Sequence, residues 1–277
     1  MMKLNNVIEL FQCPTCGGVI DEELKCAECG KKYSSREGVY ILIDRKSSGI
    51  RWKWDRRTLS KNYRADTLLS YDKLISSEIR KAREKWWEAA GRFIEEITGV
   101  TVDIGTGMGL MLEKLMDGRS TSIIATDIDP SILLSTSRAF GKSRRNDIIY
   151  LSTDARKLAL KDGIADYVTS FAGINNITGT SQVLSEVYRI MKDNATFLMM
   201  EAFVDEGTES ADLADDYGLK DGYISDSLIP LLESQGFRIQ SQIEASSAIW
   251  RENPMDVFPV DGDRVYYCII EAVKKVE

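Results

Sequence analysis

Short apolar runs alternate with amphipathic helical patterns from residue 100 to the end of the chain. The apolar runs predict strands at 100–104, 122–127, 148–152, 166–171, 196–202, 237–243 and 264–273. The intervals between them predict helices, notably at 109–117, 131–140, 181–192 and 225–235. Strands that alternate with helices are typical of an α/β fold, in which a parallel sheet is covered on both faces. Because no helical pattern separates the last two strands, we expect an antiparallel edge strand.

The residues before this region follow different patterns. Apolar residues recur near helical spacing from Leu68 to Ile97, which predicts one or two amphipathic helices. Residues 38–43 read GVYILI and predict a short strand, whereas residues 44–57 are polar and basic, as in a linker. We therefore predict three parts: a small module at 1–44, a basic linker with a helical lid at 45–98, and the α/β domain at 99–277.

Histidine is absent from all 277 residues, and this excludes several classes of site. A catalytic triad with an imidazole base, a metal centre with histidine ligands and a histidine pH switch cannot be built. Any general base must be a carboxylate, a tyrosine, a lysine or a cysteine.

The overall composition is that of a globular chain, with 43 % hydrophobic and 29 % charged residues. No apolar run approaches the roughly 18 residues that a membrane helix needs, so we expect no membrane span. The residues before Cys13 lack the pattern of a secretory signal. We expect the protein in a reducing cytoplasm.

Four of the five cysteines form two CxxCG motifs near the start of the chain: Cys13, Cys16, Cys26 and Cys29. Two such turns present four thiolates to one ion and complete a closed tetrahedral site, which is typical of structural Zn²⁺. A module of about forty residues has too little core to fold alone, so metal binding would stabilise it by on the order of 10 kcal/mol. An iron–sulfur cluster, two disulfides or a redox CxxC are the alternatives. The fifth cysteine, Cys268, lies in a predicted strand and is expected to pack in the core.

A glycine-rich turn joins the first strand of the α/β region to its first helix. The strand at 100–104 contains Asp103 and is followed by Gly105, Thr106 and Gly107, a turn that lets a ligand approach the backbone closely. The second strand ends in Asp127, where a carboxylate can accept two hydrogen bonds from a ribose diol. Asp154 follows the third strand in the same way.

The second two-thirds of the chain resembles the class I S-adenosylmethionine-dependent methyltransferases. The resemblance is carried by VDIGTGMG at 102–109, IATDIDPS at 124–131, STDARKLAL at 152–160, ADYVTSFAGINNI at 165–177 and LSEVYRIMKDNATFLMME at 184–201. It implies a Rossmann-like, seven-stranded sheet with an antiparallel edge strand, here joined to an N-terminal zinc ribbon and a helical lid. It also implies S-adenosylmethionine as the cofactor.

The resemblance assigns a role to each matching position. Asp103, Gly105, Thr106 and Gly107 would line the methionine part of the cofactor, with the Asp103 carboxylate near its ammonium group. Asp127 would bind the ribose hydroxyls and Ile128 would lie against the adenine ring. Asp154 and the backbone of Ala155 would recognise the adenine edge, and Phe171 would shape the pocket around the sulfonium.

Methyl transfer requires mainly that the acceptor be aligned with the methyl group, because the leaving group is a neutral thioether. Such positioning can supply roughly 7 to 11 kcal/mol, so a fixed catalytic residue is not obligatory. An acceptor with a hydroxyl or an acidic carbon would need a base. The sequence does not choose among Tyr63, Tyr71, Asn175 and Glu201.

Different features of the sequence favour different methyl acceptors, and two of them favour a small molecule. Residues 171–173 lack the Asn/Asp-Pro-Pro-aromatic motif of many nucleic-acid amino-methyltransferases. Seven acidic residues and one lysine lie in the stretch from Asp205 to Gly222. This stretch is either a loop that covers the acceptor or a solvated loop. A phosphate backbone would be repelled there. These features favour a small-molecule acceptor.

Two features favour RNA instead. The CPTCGG, CAECG and REGVYILI segments resemble the zinc module of the guanine-N1 ribosomal RNA methyltransferases, although that family typically has histidine where this chain has Cys29. Basic and aromatic residues follow at Arg51, Trp52, Lys53, Trp54, Arg56 and Arg57. The net charge is +9 over 31–92 but −13 over 93–277, so the same residues could instead anchor the linker to the acidic domain. A third hypothesis is a silent adaptor that binds the cofactor and presents the ribbon to a partner.

Overall fold

The computed structural model describes residues 7–44, 63–141 and 147–275. The predicted linker, with its basic and aromatic residues at 51–57, lies outside these ranges, as does the side chain of Tyr63. Among the described helices, none combines the length and apolar character needed to cross a membrane.

A single mixed sheet forms the centre of the described structure. Its strands are β1 (Ser34–Arg36), β2 (Val39–Ile41), β3 (Thr98–Ile104), β4 (Arg119–Asp127), β5 (Asp147–Ser152), β6 (Ala165–Phe171), β7 (Met191–Val204), β8 (Phe237–Ile249) and β9 (Arg264–Lys274). The spatial order is β1-β2-β5-β4-β3-β6-β7-β9-β8. Strands β3 to β7 are parallel, and β9 lies antiparallel between β7 and β8. The α/β fold with an antiparallel edge, predicted from the pattern, is confirmed.

Helices cover both faces of this sheet. They are α1 (Tyr63–Leu74), α2 (Ser77–Glu96), α3 (Leu110–Asp117), α4 (Pro130–Phe140), α5 (Thr180–Ile190), α6 (Glu209–Asp216), α7 (Lys220–Tyr223) and α8 (Ser225–Ser234). Helices α2, α3 and α4 pack on one face, and α5 and α8 pack on the other. Each face therefore has its own apolar core, as the continuous apolar character of the parallel strands requires.

The helical pattern before residue 98 corresponds to α1 and α2. Helix α2 begins after Ser76, whose hydroxyl accepts a hydrogen bond from the Ile79 amide and so satisfies one unpaired N–H of the first turn. Its buried residues recur at spacings of three or four and form one stripe against the sheet: Ile79, Ala82, Trp86, Ala90 and Ile94.

The N-terminal module is joined to the main sheet. Strands β1 and β2 form a hairpin, and β2 continues the sheet by pairing in parallel with β5, so that Val39 lies beside Tyr150 and Ile41 beside Ser152. The short strand was predicted from GVYILI, but its pairing partner was not. The module thus adds two strands to the seven implied by the resemblance.

The acidic stretch between Asp205 and Gly222 differs from the predicted loop, because it forms α6 and α7. Thr208 caps α6 by accepting a hydrogen bond from the Ala211 amide. Ala211 and Ala214 are buried against a small cluster that contains Phe258. Two alanines give a weak apolar signal among so many carboxylates, which is why the sequence pattern did not reveal the helix.

Candidate active site

Four side chains predicted to bind one ligand lie at the same edge of the sheet. Asp103 and Asp127 lie near or at the ends of β3 and β4, Phe171 ends β6, and Asp154 follows β5 by two residues. These strands are neighbours in the order β5-β4-β3-β6, so their carboxyl ends meet. This edge is where open parallel sheets bind ligands. The structure therefore brings together the residues that the sequence selected.

The turn after β3 gives a ligand access to the main chain. Gly105 has a φ of +65°, and a Cβ atom there would lie 3.3 Å from the Cα of Gly173. The Thr106 amide donates to the Thr126 carbonyl at 2.7 Å, which ties the turn to β4. A side chain on Gly105 would therefore be strained and crowded where a ligand must approach.

Asp103 lies beneath this turn and is only 1 % exposed. Its Oδ2 accepts a hydrogen bond from the Thr106 hydroxyl and its Oδ1 accepts one from the Thr169 hydroxyl, both at 2.8 Å. Burial raises the pKa of this carboxyl to about 6, against the opposing effect of the two hydroxyls. Asp103 thus orders the turn, and it can meet a ligand's ammonium group only through lone pairs that the threonines leave unused.

Asp127 is more open to a ligand. Its Oδ2 accepts from the Gly107 amide at 3.0 Å and its Oδ1 from the Asp129 amide at 2.9 Å. Removal from water raises its pKa to about 6, while these amides lower it. Each oxygen keeps a lone pair, so the carboxylate can accept a pair of hydroxyl hydrogen bonds. The neighbouring Ile128 is partly exposed at the same strand end.

Asp154 has a partner that sequence reasoning missed. The Arg156 guanidinium donates from Nε to Oδ1 at 3.0 Å and from Nη2 to Oδ2 at 2.8 Å. The signal was present two residues downstream but looked like an ordinary surface arginine. A ligand amino group that binds Asp154 must share its oxygens with Arg156 or displace it. Ala155, the next residue, is partly buried.

Phe171 is covered by helix α2. Its ring stacks on Trp87 with centroids 4.4 Å apart, and the Trp86 ring lies 5.0 Å away. The Trp86 indole N–H donates to the Cys268 carbonyl at 2.9 Å and thereby fixes the helix to β9. Trp86 lies within the helical pattern predicted from Leu68 to Ile97, whereas the contact of Trp87 with Phe171 could not be predicted from the sequence.

Three tyrosines and a carboxylate lie near one another beyond Trp86, and we call Tyr71, Tyr223, Tyr267 and Asp256 the tyrosine cluster. Tyr71 donates to Asp256 Oδ2 at 2.9 Å, and the Tyr267 ring lies 4.9 Å from Trp86. The Tyr267 hydroxyl is buried and has no hydrogen-bond partner within the described ranges. Burial raises the pKa of Tyr267 to about 12 and that of Tyr71 above its ordinary value. These phenols are therefore protonated donors at neutral pH.

Glu201 is a second buried acid, on the opposite face of β7 from the apolar residues that meet α2. Its Oε1 accepts from the Ser170 hydroxyl at 2.8 Å and from the Ile174 amide at 3.2 Å. Its Oε2 is buried without a partner in the part of the chain that is described. Burial raises its pKa to about 7, which the hydrogen bonds oppose. Of the candidate bases, Glu201 is thus poised to exchange a proton near neutral pH, whereas the Asn175 amide donates to the Ala202 carbonyl.

The four N-terminal cysteines meet in one place. Their sulfur atoms all lie within 4.8 Å of one another, with Cys13 and Cys29 at 3.7 Å and Cys16 and Cys26 at 3.5 Å. None of them forms a disulfide. A tetrahedral Zn²⁺ with Zn–S bonds of about 2.3 Å requires sulfurs about 3.8 Å apart. The donor set and its spacing therefore fit a structural zinc ion. Cys268 is buried in β9, as expected.

Comparisons with known proteins agree with this geometry. Residues 102–199 match the family described as Methyltransferase domain. Over 186 residues the chain is 28 % identical to the mitochondrial 2-methoxy-6-polyprenyl-1,4-benzoquinol methylase of Oryza sativa subsp. japonica. That alignment covers 66 % of this chain but only 58 % of the relative, so the chain spans less than two thirds of that protein.

Solved structures share the fold. Phosphoethanolamine N-methyltransferase 2 of Haemonchus contortus, in complex with phosphomonomethylethanolamine and S-adenosylhomocysteine, has a TM-score of 0.55 at 15 % identity. The match covers 80 % of this chain and 60 % of that one. The [4+2]-cyclase SpnF has a TM-score of 0.51 at 17 % identity, covering 69 % and 83 % of the two chains. The fold therefore serves more than one reaction, and the site must decide the chemistry.

Proposed function

We propose that this chain, whose residues 102–199 match the family described as Methyltransferase domain, is a class I methyltransferase that transfers the methyl group of S-adenosylmethionine to a small molecule. The observation that carries the proposal is the meeting of Asp103, Asp127, Asp154 and Phe171 at the ends of four adjacent strands. Each offers the chemistry that one part of this cofactor needs.

Each of these residues binds a different part of the cofactor. Asp127 accepts hydrogen bonds from the ribose hydroxyls, and the Gly105 to Gly107 turn admits the methionine part to the main chain. Asp154 and the Ala155 backbone face the adenine edge. When bound, the cofactor supplies a methyl group activated by a positively charged sulfur. Phe171 and Trp87 line that position and exclude water, so the protein contributes by aligning the acceptor with the methyl group.

The small-molecule acceptor is supported by what surrounds Phe171. Trp86, Trp87 and the tyrosine cluster form an aromatic wall with buried hydroxyls, which suits a compact acceptor. The names of the relatives include a quinol methylase and a phosphoethanolamine methyltransferase, both for small acceptors. RNA remains the alternative, and its candidate contacts at 51–57 lie outside the described residues.

Proton removal from the acceptor, where the reaction needs it, is assigned to Glu201 or to Asp256 of the tyrosine cluster. Glu201 has an unused buried oxygen, and Asp256 is tied to Tyr71 and, through a 3.1 Å hydrogen bond, to the Asn253 amide. The burial that raises the pKa of both carboxyls makes them better proton acceptors.

We also propose that Cys13, Cys16, Cys26 and Cys29 hold one structural Zn²⁺. The Tyr33 hydroxyl lies 3.1 Å from the Cys13 sulfur and can donate a hydrogen bond to its thiolate. A closed four-sulfur site leaves no position for substrate, so the ion would stabilise the module and take no part in the chemistry. Metal analysis should give one zinc per chain.

Calorimetry with S-adenosylhomocysteine tests the cofactor site. Asp127→Asn should weaken binding at least several-fold, because the amide nitrogen cannot accept a ribose hydroxyl. Asp117→Asn is the matched control, since Asp117 is exposed at the end of α3. Unchanged affinity in Asp127→Asn would overturn the site assignment.

Transfer of a tritiated methyl group distinguishes the acceptors. Incubation with a small-molecule extract should give labelled product, and total RNA should stay unlabelled. Label in RNA would select the alternative, and label in neither would favour the adaptor.

A further inference from the structure

We propose that the metal module, residues 7–44, positions the segment that carries the adenine-side residues, so that metal occupancy sets the affinity for the cofactor. We call residues 153–161 the adenine-side segment, because Asp154 and Ala155 lie in it. The inference rests on the proposed function.

The metal module holds the chain immediately before this segment. Strand β2 pairs with β5 up to Ile41 and Ser152, and the Leu42 amide then donates to the Ser152 carbonyl at 2.9 Å. Thr153 is the next residue. The metal module therefore fixes the point at which the adenine-side segment leaves the sheet.

The module also holds the end of the segment. The Gln12 amide donates to the Ala159 carbonyl at 3.2 Å, and the Lys161 amide donates to the Leu10 carbonyl at 2.9 Å. Phe11 and Leu160 form an antiparallel bridge between these two bonds, and both side chains are fully buried. A short two-stranded pairing thus ties the segment to the residues just before the first metal-binding turn.

The first CxxC turn makes a direct contact with the segment. Lys157 Nζ donates to the carbonyl of Thr15, which lies between Cys13 and Cys16, at 3.2 Å. The Lys157 amide donates to the Asp154 carbonyl at 2.9 Å and closes the turn that contains Asp154. One residue therefore links the cysteine turn to the adenine-side carboxylate.

On its other side the segment is held by α5. Glu186 Oε2 accepts from the Leu158 amide at 2.7 Å, and Arg189 donates to the Leu158 and Leu160 carbonyls. The segment is thus clamped between α5 and the metal module. Because a module of about forty residues cannot fold by its core alone, loss of the metal would release one side of the clamp.

The consequence is a coupling between two ligands that do not touch. The cofactor requires an ordered segment at its adenine end, and an unclamped segment would have to be ordered on binding, which weakens affinity. We expect removal of zinc from the full chain to weaken S-adenosylhomocysteine binding at least tenfold, and restoration of zinc to recover it.

Two measurements on the full chain test the coupling. Calorimetry with S-adenosylhomocysteine compares the zinc-loaded, chelated and zinc-restored protein. Hydrogen exchange follows the amides of residues 153–161, with β6 as the internal reference. Faster exchange in the segment but not in β6, together with weaker binding, supports the proposal. Unchanged affinity after metal loss overturns it, and no binding to the zinc-loaded protein contradicts the proposed function instead.

A substitution keeps the test decisive where chelation unfolds the whole chain. Lys157→Met removes the bond to Thr15 and keeps the aliphatic stem, so we expect a two- to fivefold loss of affinity in the zinc-loaded protein. Lys161→Met is the matched control, because the contact of Lys161 with the module uses its backbone amide. Equal affinities for the two variants would contradict the proposal.

Discussion

At the scale of residues, the site depends on hydrogen bonds and ring contacts that a sequence pattern does not reveal. Asp103 and Asp127 could be selected because acidic residues at the ends of strands flank a glycine turn. Thr169, Arg156 and Trp87 could not, because each lies far along the chain from its partner or resembles a surface residue. Strand ends are predictable from a local pattern, whereas partners across the sheet depend on strand order.

Thr169→Val tests the support of the buried Asp103. Valine keeps the shape but leaves Asp103 Oδ1 without its hydroxyl donor, which should cost about 1–3 kcal/mol in the free energy of unfolding. It should also raise the pKa of Asp103 further. Urea unfolding at pH 7 measures the cost, and Thr98→Val at an exposed position of β3 is the control. Equal losses in the two variants would show that the carboxylate does not depend on Thr169.

Glu201→Gln tests the buried acid through pH. Because the folded-state pKa is raised to about 7, the folded protein binds this proton more tightly than the unfolded chain does. Its contribution to stability is complete below the ordinary pKa of about 4.3 and is lost as pH rises through 7, by up to about 1.4 kcal/mol per pH unit.

Glutamine mimics the protonated acid and keeps the acceptor for Ser170 and Ile174. The variant should therefore gain stability over the parent as pH rises from 5 to 8 in urea unfolding. Glu233→Gln, exposed on α8, should follow the parent at every pH. A constant difference between Glu201→Gln and the parent would indicate that the carboxyl is already ionised at pH 5.

At the scale of elements, the sequence predicted type and position well where apolar periodicity was strong. Strands β3 to β6 and helices α3, α4, α5 and α8 lie within a few residues of their predicted bounds. Helix α6 was missed because its buried residues, Ser210, Ala211 and Ala214, give only a weak apolar signal. Strand β7 runs from Met191 to Val204, longer than the apolar run at 196–202, because pairing of Met191 with Ala165 of β6 extends its start and pairing with β9 as far as Val204 extends its end. Tertiary pairing, not local preference, sets such ends.

Two adjacent tryptophans on α2 allow a residue that stabilises the fold to be distinguished from a residue that contributes to ligand binding. Trp86 is 1 % exposed and donates to Cys268, so Trp86→Leu should lower the free energy of unfolding by about 3 kcal/mol. Trp87 is only partly buried and stacks on Phe171, so Trp87→Leu should cost less than about 1.5 kcal/mol yet weaken S-adenosylhomocysteine binding. Urea unfolding and calorimetry on both variants check this. Comparable stability losses with unchanged binding would remove α2 from the site.

At the scale of the whole molecule, the sequence predicted a metal module beside an α/β domain but not how they join. The division at 1–44, 45–98 and 99–277 remains a prediction. What the pattern could not supply is the pairing of β2 with β5, because a three-residue strand carries no information about its neighbour. The core shows the same continuity, since Phe11 and Leu42 of the module are buried in one apolar cluster with Leu158 and Leu160 of the main domain.

This shared sheet and core predict that the zinc-loaded protein unfolds as one unit. Separating the module would expose Phe11 and Leu42 together with their partners, so neither part reaches its full stability alone. Calorimetry of the zinc-loaded chain should show one transition whose calorimetric and van't Hoff enthalpies agree. Chelation should unfold the module and lower the midpoint of the remaining transition, because the larger domain then loses the packing that the module supplied. Two separate transitions in the presence of zinc would show that the module and the α/β domain are thermodynamically independent despite the strand pairing between them.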